Sequence, residues 1–222
     1  MTMKTALISG GKRGIGKAIA ELLSADYKVY APNSKEMDVK NPESINQYLF
    51  KNDLSGVDIL VNNAGIHVNK AFLDHSDEDW NNTLDINLKG TINLTKAVLP
   101  YMKEKQWGKI VNISSISGLY GEPYASAYTA TKFAVVGLSK SLAKEFARDN
   151  ITINAVCPAY VRTEMTLKHV SDKDSEDLLL GSVPQKRWIE PKEVAAMVKY
   201  LISDEAKGIT GEALPLTAGL YL

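Results

Sequence analysis

The sequence predicts an α/β protein, a doubly wound parallel sheet with helices on both faces, folded as one domain over residues 1–222. Three observations carry this. Apolar runs of strand length alternate with amphipathic stretches of helix length along the whole chain. A glycine cluster lies between the first apolar run and the first helical stretch. No linker, internal repeat or low-complexity tract divides the 222 residues, a length that suits one large core better than two.

In order, the strands are read as TALIS (5–9), KVYAP (28–32), DILVNNA (58–64), KIVNIS (109–114), TINAVC (152–157) and ALPL (213–216). Helical patterns lie near 14–24, 42–52, 79–105, 126–149 and 191–202. The order is βαβ repeated, so right-handed crossovers are expected. One connection breaks the rule. Only NSKEM separates the second strand from Asp38 and Val39, whereas a crossover between parallel strands needs about a dozen residues. The sheet is therefore expected to be trimmed at the second-to-third strand connection, with a strand there missing or reduced to a loop. Residues 158–190 are the least regular stretch, mixing PAYVRTEM, the charged SDKDSED and apolar LLL and VPQKRW. They are read as a substrate lid or binding loop. Within them Met165, Leu167, Leu178, Leu179, Leu180, Val183 and Trp188 are candidates for an apolar substrate wall.

Composition narrows the function classes. Lys plus Arg equals Asp plus Glu at 26 each, so no overall field attracts nucleic acid or an anionic membrane. The single cysteine, Cys157, ends an apolar run and reads as a small buried residue in a reducing compartment. The opening MTMKTALISGG has too short an apolar run for a signal peptide, and no later run approaches the roughly 18 residues that would span a bilayer. A cytoplasmic protein is expected. His67, His75 and His169 lack metal-ligand spacing, so no metal site is expected; His169 lies in the expected lid.

The glycine cluster SGGKRGIG (9–16) follows the first strand and opens the first helix. Gly10, Gly14 and Gly16 permit tight turns and a close backbone approach, so helix N-terminal amides can face a pyrophosphate. The spacing is GxxxGxG, not GxGxxG. Lys12 and Arg13 in the loop, and a second strand ending APNS without an acid, point to NADP(H). Glu36 or Asp38 reaching the ribose would instead allow NAD(H).

With NNAG at 62–65, NLKG at 87–90, IVNISS at 110–115, YTATK at 128–132 and PAYVRT at 158–163, nearly the whole chain resembles the short-chain dehydrogenase/reductase family, whose fold is of the Rossmann type. The resemblance implies an oxidoreductase that interconverts a carbonyl and a secondary alcohol, with a catalytic set of Asn87, Ser115, Tyr128 and Lys132. For cofactor contacts it implies the surroundings of Gly10, Lys12, Arg13, Gly14, Ile15, Gly16, Asp38, Val39, Asn63, Ala64, Gly65, Val161 and Thr163, together with Tyr128 and Lys132. Asn87, through its side chain or backbone, is implied to hold a water linking Lys132 to solvent. The family commonly builds homodimers and homotetramers on the helix after YTATK, where Gly137 suits either close approach of a second subunit or packing within one. The pattern is most similar to 3-oxoacyl-carrier-protein reductases, although Gln106 and Asp149 stand where carrier-docking members carry arginines. Ala159 replaces a customary glycine, and LTAGLYL is a weakened form of the usual ending. A dinucleotide-binding regulatory or scaffold protein without turnover is the competing reading. Sugar-nucleotide epimerases also place Tyr and Lys four apart, but usually add a C-terminal domain.

Elementary physics stands beside this resemblance. Reducing a carbonyl needs a hydride on carbon and a proton on oxygen, and a free phenol with a pKa of about 10 is a poor acid and base near neutrality. Tyr128 and Lys132 share a helix face. An ammonium about 5 Å away at an effective dielectric near 20 is expected to favour the phenolate by about 3 kcal/mol, or roughly two pKa units. Ser115 would hydrogen-bond the developing alkoxide, and strand alternation implies that only one of Ser114 and Ser115 faces the cleft.

Overall fold

The computed structural model describes residues 3–54, 56–168 and 170–220. Six parallel strands form one sheet in the order β2-β1-β3-β4-β5-β6: β1 (Thr5–Ile8), β2 (Lys28–Tyr30), β3 (Ile59–Asn62), β4 (Gly108–Ile113), β5 (Ile151–Pro158) and β6 (Ala213–Leu216). Period-two alternation sends neighbouring side chains to opposite faces. Ala6, Ile8, Ile59, Val61, Val111 and Ile113 face one layer, under α1 (Gly14–Leu23) and α8 (Pro191–Leu201). Leu7, Leu60 and Ile110 face the other, under α2 (Pro42–Lys51), α4 (Gly90–Lys105) and α5 (Ser126–Phe146). Every residue of β4 and β5 is buried, as central parallel strands covered on both faces require.

The trimmed edge is present. β2 has three residues and ends the sheet, and the chain from 31 to 41 contains no strand. Asn33 folds this connection by accepting from the amides of Lys35 and Glu36 at 2.9 and 3.0 Å. Met37 and Val39 are buried beneath it in the α2/α4 layer. Asn93 of α4 pins it by donating to the Val39 carbonyl at 3.0 Å.

Two expected elements differ. The helical pattern at 79–105 is interrupted, running as α3 (Asp77–Leu84), one π-helical turn at Asp85–Lys89, then α4. The residues 158–190 contain two short helices, α6 (Glu164–Leu167) and α7 (Lys173–Gly181). Val183 and Trp188 there are 2% and 5% exposed and belong to packing, while Leu178 is exposed; of the expected apolar wall only Met165 lines the cleft described below. His169 lies outside the described residues. Among those residues no helix is long and apolar enough to cross a membrane.

Candidate active site

A cleft of about 1040 Å³ opens along the C-terminal ends of β1, β3 and β4, the side on which open parallel sheets place ligands. Gly10 and Gly14, at φ +63° and +52°, turn the chain at its floor, a conformation that a side chain resists. Asn63 holds this turn: its Nδ2 donates to the carbonyls of Ser9 and Gly10 at 2.9 and 3.2 Å. A Cβ on Gly16 would lie 2.5 Å from both Asn63 Nδ2 and the Gly10 carbonyl oxygen, so Gly16 keeps the helix close behind the loop. No side chain caps α1, and Arg13, Gly14 and Ile15 at its start line the cleft.

Of the expected cofactor residues, Gly10, Lys12, Arg13, Gly14, Ile15, Asp38, Val39, Asn63, Ala64, Gly65, Tyr128, Lys132 and Thr163 line this one cleft. Gly16 and Val161 are not on its wall: Gly16 packs behind the loop, and Val161 is 3% exposed and bridged to Ile189. Sequence reasoning missed Asn33, Ser34, Lys35 and Lys40, which line the end nearest β2. Their signal was the shortness of the connection, which folds the whole segment back over the β1 end. The carboxylates there are turned to the loop itself. Glu36 accepts from the Asn33 amide at 2.9 Å, and Asp38 accepts from the Lys40 amide at 3.0 Å. Arg13 pairs with Glu164 of α6 at 3.3 Å.

At the other end stand Tyr128 and Lys132 of the expected catalytic set. Lys132 is 5% exposed and donates to the Ile113 carbonyl at 2.9 Å, with Nζ 5.4 Å from the Tyr128 ring centroid. Ser114 lines the cleft, whereas Ser115, 8% exposed, takes no place on its wall. Ser114 donates to the Lys132 carbonyl at 3.0 Å, and Ser115 donates to Ser117 Oγ at 3.1 Å. Asn87 sits in the π turn, 2% exposed, and takes no place on the cleft wall. Its Oδ1 accepts from the Ile66 amide at 2.8 Å, and its Nδ2 donates to the Ile66 carbonyl and Thr131 Oγ1 at 2.9 and 3.2 Å. Both amide protons are thereby engaged, and Asn87 clamps the irregular segment that follows β3 onto α5. His67, not singled out by sequence for the site, lines the cleft with its ring centroid 4.5 Å from that of Tyr128.

Electrostatics correct one expectation. The Tyr128 phenol is pushed up to about 12, mainly by burial of its hydroxyl and further by the Glu122 charge, with hydrogen bonding to Ser115 pulling the other way. Lys132 is itself held down to about 8 by burial. Desolvation disfavours both charged forms and so works against the acidified phenol expected from spacing alone. At neutral pH the tyrosine is a fully protonated donor.

A glycine turn and uncapped helix start at one end of a long cleft, with Tyr128 and the buried Lys132 at the other, define a dinucleotide-dependent oxidoreductase. Residues 16–221 match the family model described as enoyl-(acyl carrier protein) reductase. The 3-oxoacyl-(acyl-carrier-protein) reductase of Vibrio cholerae is 38% identical over 240 aligned positions, covering 99% of this chain and 98% of its own; that of Haemophilus influenzae is 39% identical over 243, covering 100% of each. Both alignments exceed the 222 residues of this chain, in keeping with its trimmed connection after β2. Among solved structures, ElxO with NADP bound superposes at a TM-score of 0.90 with 34% identity over 99% of both chains, and 4-hydroxyisoleucine dehydrogenase complexed with NADH at 0.92 with 32% identity over 98% of both. The chain belongs to the short-chain dehydrogenase/reductase family, and it is an oxidoreductase of the carbonyl/alcohol class.

Proposed function

We propose that the chain is an NADP(H)-dependent reductase of a small carbonyl compound, with Tyr128 as the acid that protonates the carbonyl oxygen. The observation that carries this is one cleft joining the glycine turn and three lysines, Lys12, Lys35 and Lys40, to Tyr128 and Lys132. The lysines favour a 2′-phosphate, and the carboxylates of Glu36 and Asp38 are occupied within their own loop. A relative solved with NADP and another with NADH both superpose closely, which supports the dinucleotide and keeps NAD(H) as the weaker alternative. The cofactor supplies the hydride. Tyr128 delivers its proton to the oxygen; Ser115 adjoins that oxygen; Lys132 sets a positive field beside the phenol; Asn87 acts as a positioning residue. Residues 158–190 are assigned as the substrate lid, with Met165 on its inner wall.

Substrate delivery by a carrier protein is disfavoured at the positions where related carriers dock on arginines, because Gln106 donates to Asp149 at 3.0 Å and the pair offers no positive charge. A homodimer or homotetramer built on α5 is part of this reading. Phe133 is 45% exposed on that helix, and beyond the adjoining backbone of α5 no atom of the described residues lies within 4 Å of a Cβ built on Gly137, so packing against those residues does not account for the glycine. Light scattering on an eluting size-exclusion peak tests the assembly. For the chemistry, Tyr128→Phe is expected to lower ketone reduction by more than about a hundredfold while NADPH binding by fluorescence stays within about twofold. Full turnover in that variant refutes the assignment.

A further inference from the structure

The irregular segment after β3 lays a second ring against the tyrosine. His67 lines the cleft, and its imidazole centroid lies 4.5 Å from that of Tyr128, with the two planes tilted by 58°. The segment has no regular structure, yet it is fastened on both sides of His67. Before it, Asn87 accepts from the Ile66 amide at 2.8 Å and donates to the Ile66 carbonyl at 2.9 Å. After it, the Lys70 amide donates to the Tyr124 carbonyl at 2.8 Å, and Lys70 Nζ pairs with Asp79 at 2.6 Å. Tyr124 stands just before α5, so the second fastening ties the segment to the helix that carries Tyr128. The main chain under His67 is thereby fixed relative to the phenol, and the partly buried imidazole fills the space beside it. Ile66, Ile86 and Ile113 on the same cleft wall are apolar, which leaves shape as the main means of sorting substituents there.

Resting on the reading of Tyr128 as the acid, we propose that His67 is a specificity-determining residue that fills one side of the carbonyl site, so that the smaller substituent of the reacting carbon faces it. The carbonyl oxygen has to come within hydrogen-bonding distance of the Tyr128 hydroxyl. The two substituents on the carbon then project to opposite sides of the C=O axis. One side meets the imidazole; the other is left to the rest of the cleft, where Met165 stands. A hydrogen or a methyl group fits beside a ring, whereas a longer chain would overlap it, because packed side chains leave little spare volume. The substrate class is therefore aldehydes and methyl ketones with one long or bulky arm. With hydride arriving from one face only, the same constraint fixes which enantiomer of the secondary alcohol forms.

The test uses heptanal, 2-heptanone and 4-heptanone with NADPH, compounds of one formula whose smaller substituents are hydrogen, methyl and propyl. The wild type should reduce 2-heptanone with a kcat/KM at least about tenfold above that for 4-heptanone, since the two extra methylenes have no room beside the ring. His67→Ala should lower this ratio about tenfold and reduce the enantiomeric excess of the 2-heptanol formed. His67→Trp should act in the opposite sense, favouring heptanal over both ketones. His67→Phe keeps a ring without nitrogens and should hold the ratio within about threefold of wild type; a collapse there as large as in His67→Ala overturns the proposal in favour of a hydrogen bond from the imidazole. A wild-type ratio near one overturns it too, as does a His67→Ala enzyme in which all three rates fall alike, the mark of a merely structural role. Failure of the underlying reading is recognised separately, by an active Tyr128→Phe enzyme or a wild type inactive on all three compounds.

Discussion

Replacing Lys132 with Met should make the nucleotide-free protein more stable at pH 7 while abolishing its turnover. The ammonium is buried at 5% exposure, and its pKa is lowered from 10.5 to about 8 by desolvation. At about 1.4 kcal/mol per unit, the charged form costs the fold about 3 kcal/mol at neutral pH. Met fills a similar volume without a charge but leaves the Ile113 carbonyl without the 2.9 Å bond from Nζ, a loss of about 1–2 kcal/mol. The net gain is about 1–2 kcal/mol, or roughly 2–8 °C in Tm for a chain of this size. The pH dependence follows with a definite sign. Because the folded pKa lies below the unfolded one, the unfolded chain binds more protons between about pH 8 and 10.5. Lys132 therefore makes the wild-type fold more stable as pH rises through that window, and the advantage of Lys132→Met shrinks and then reverses. Calorimetry of both proteins at pH 7 and 9.5 measures this. A variant less stable than wild type at pH 7, or a difference that does not change with pH, refutes the desolvation account.

Two further substitutions probe the scaffold. Asn112 accepts from Asn62 Nδ2 and donates to Ser139 Oγ, both at 2.8 Å, joining β3, β4 and α5 inside the core. Asn112→Ala should cost about 3 kcal/mol in urea unfolding, from stranded polar groups and a cavity. Gly16→Ala would press a methyl against the Gly10 carbonyl and Asn63; NADPH affinity should fall at least about tenfold in a fluorescence titration, with the far-UV circular dichroism unchanged.

Strand positions were legible because burial on both faces leaves continuous apolar runs; β1, β3, β4 and β6 lie within the residues expected to within two positions. The trimmed edge was legible by counting residues. The break in the helix at 79–105 was not, since a π turn changes winding without changing composition, and it is the turn that carries Asn87. Motif spacing placed Tyr128 and Lys132 on the wall of one cleft. Their ionisation was misjudged because the distance between two charges can be read from a helix, whereas the water removed from around them depends on β4, β5 and the loops that close over α5. The His67–Tyr128 contact was invisible for a simpler reason: a stretch of irregular chain brings it about, with no period to betray it.

The π turn at Asp85–Lys89 makes the length of this segment as important as its content. An α-helix advances about 100° per residue. Excising any one residue from the turn would restore ordinary winding, but it would swing Asn87 away from Ile66 and Thr131 or rotate α4 out of its groove. Point substitutions should therefore be tolerated here more readily than the shortest possible deletion.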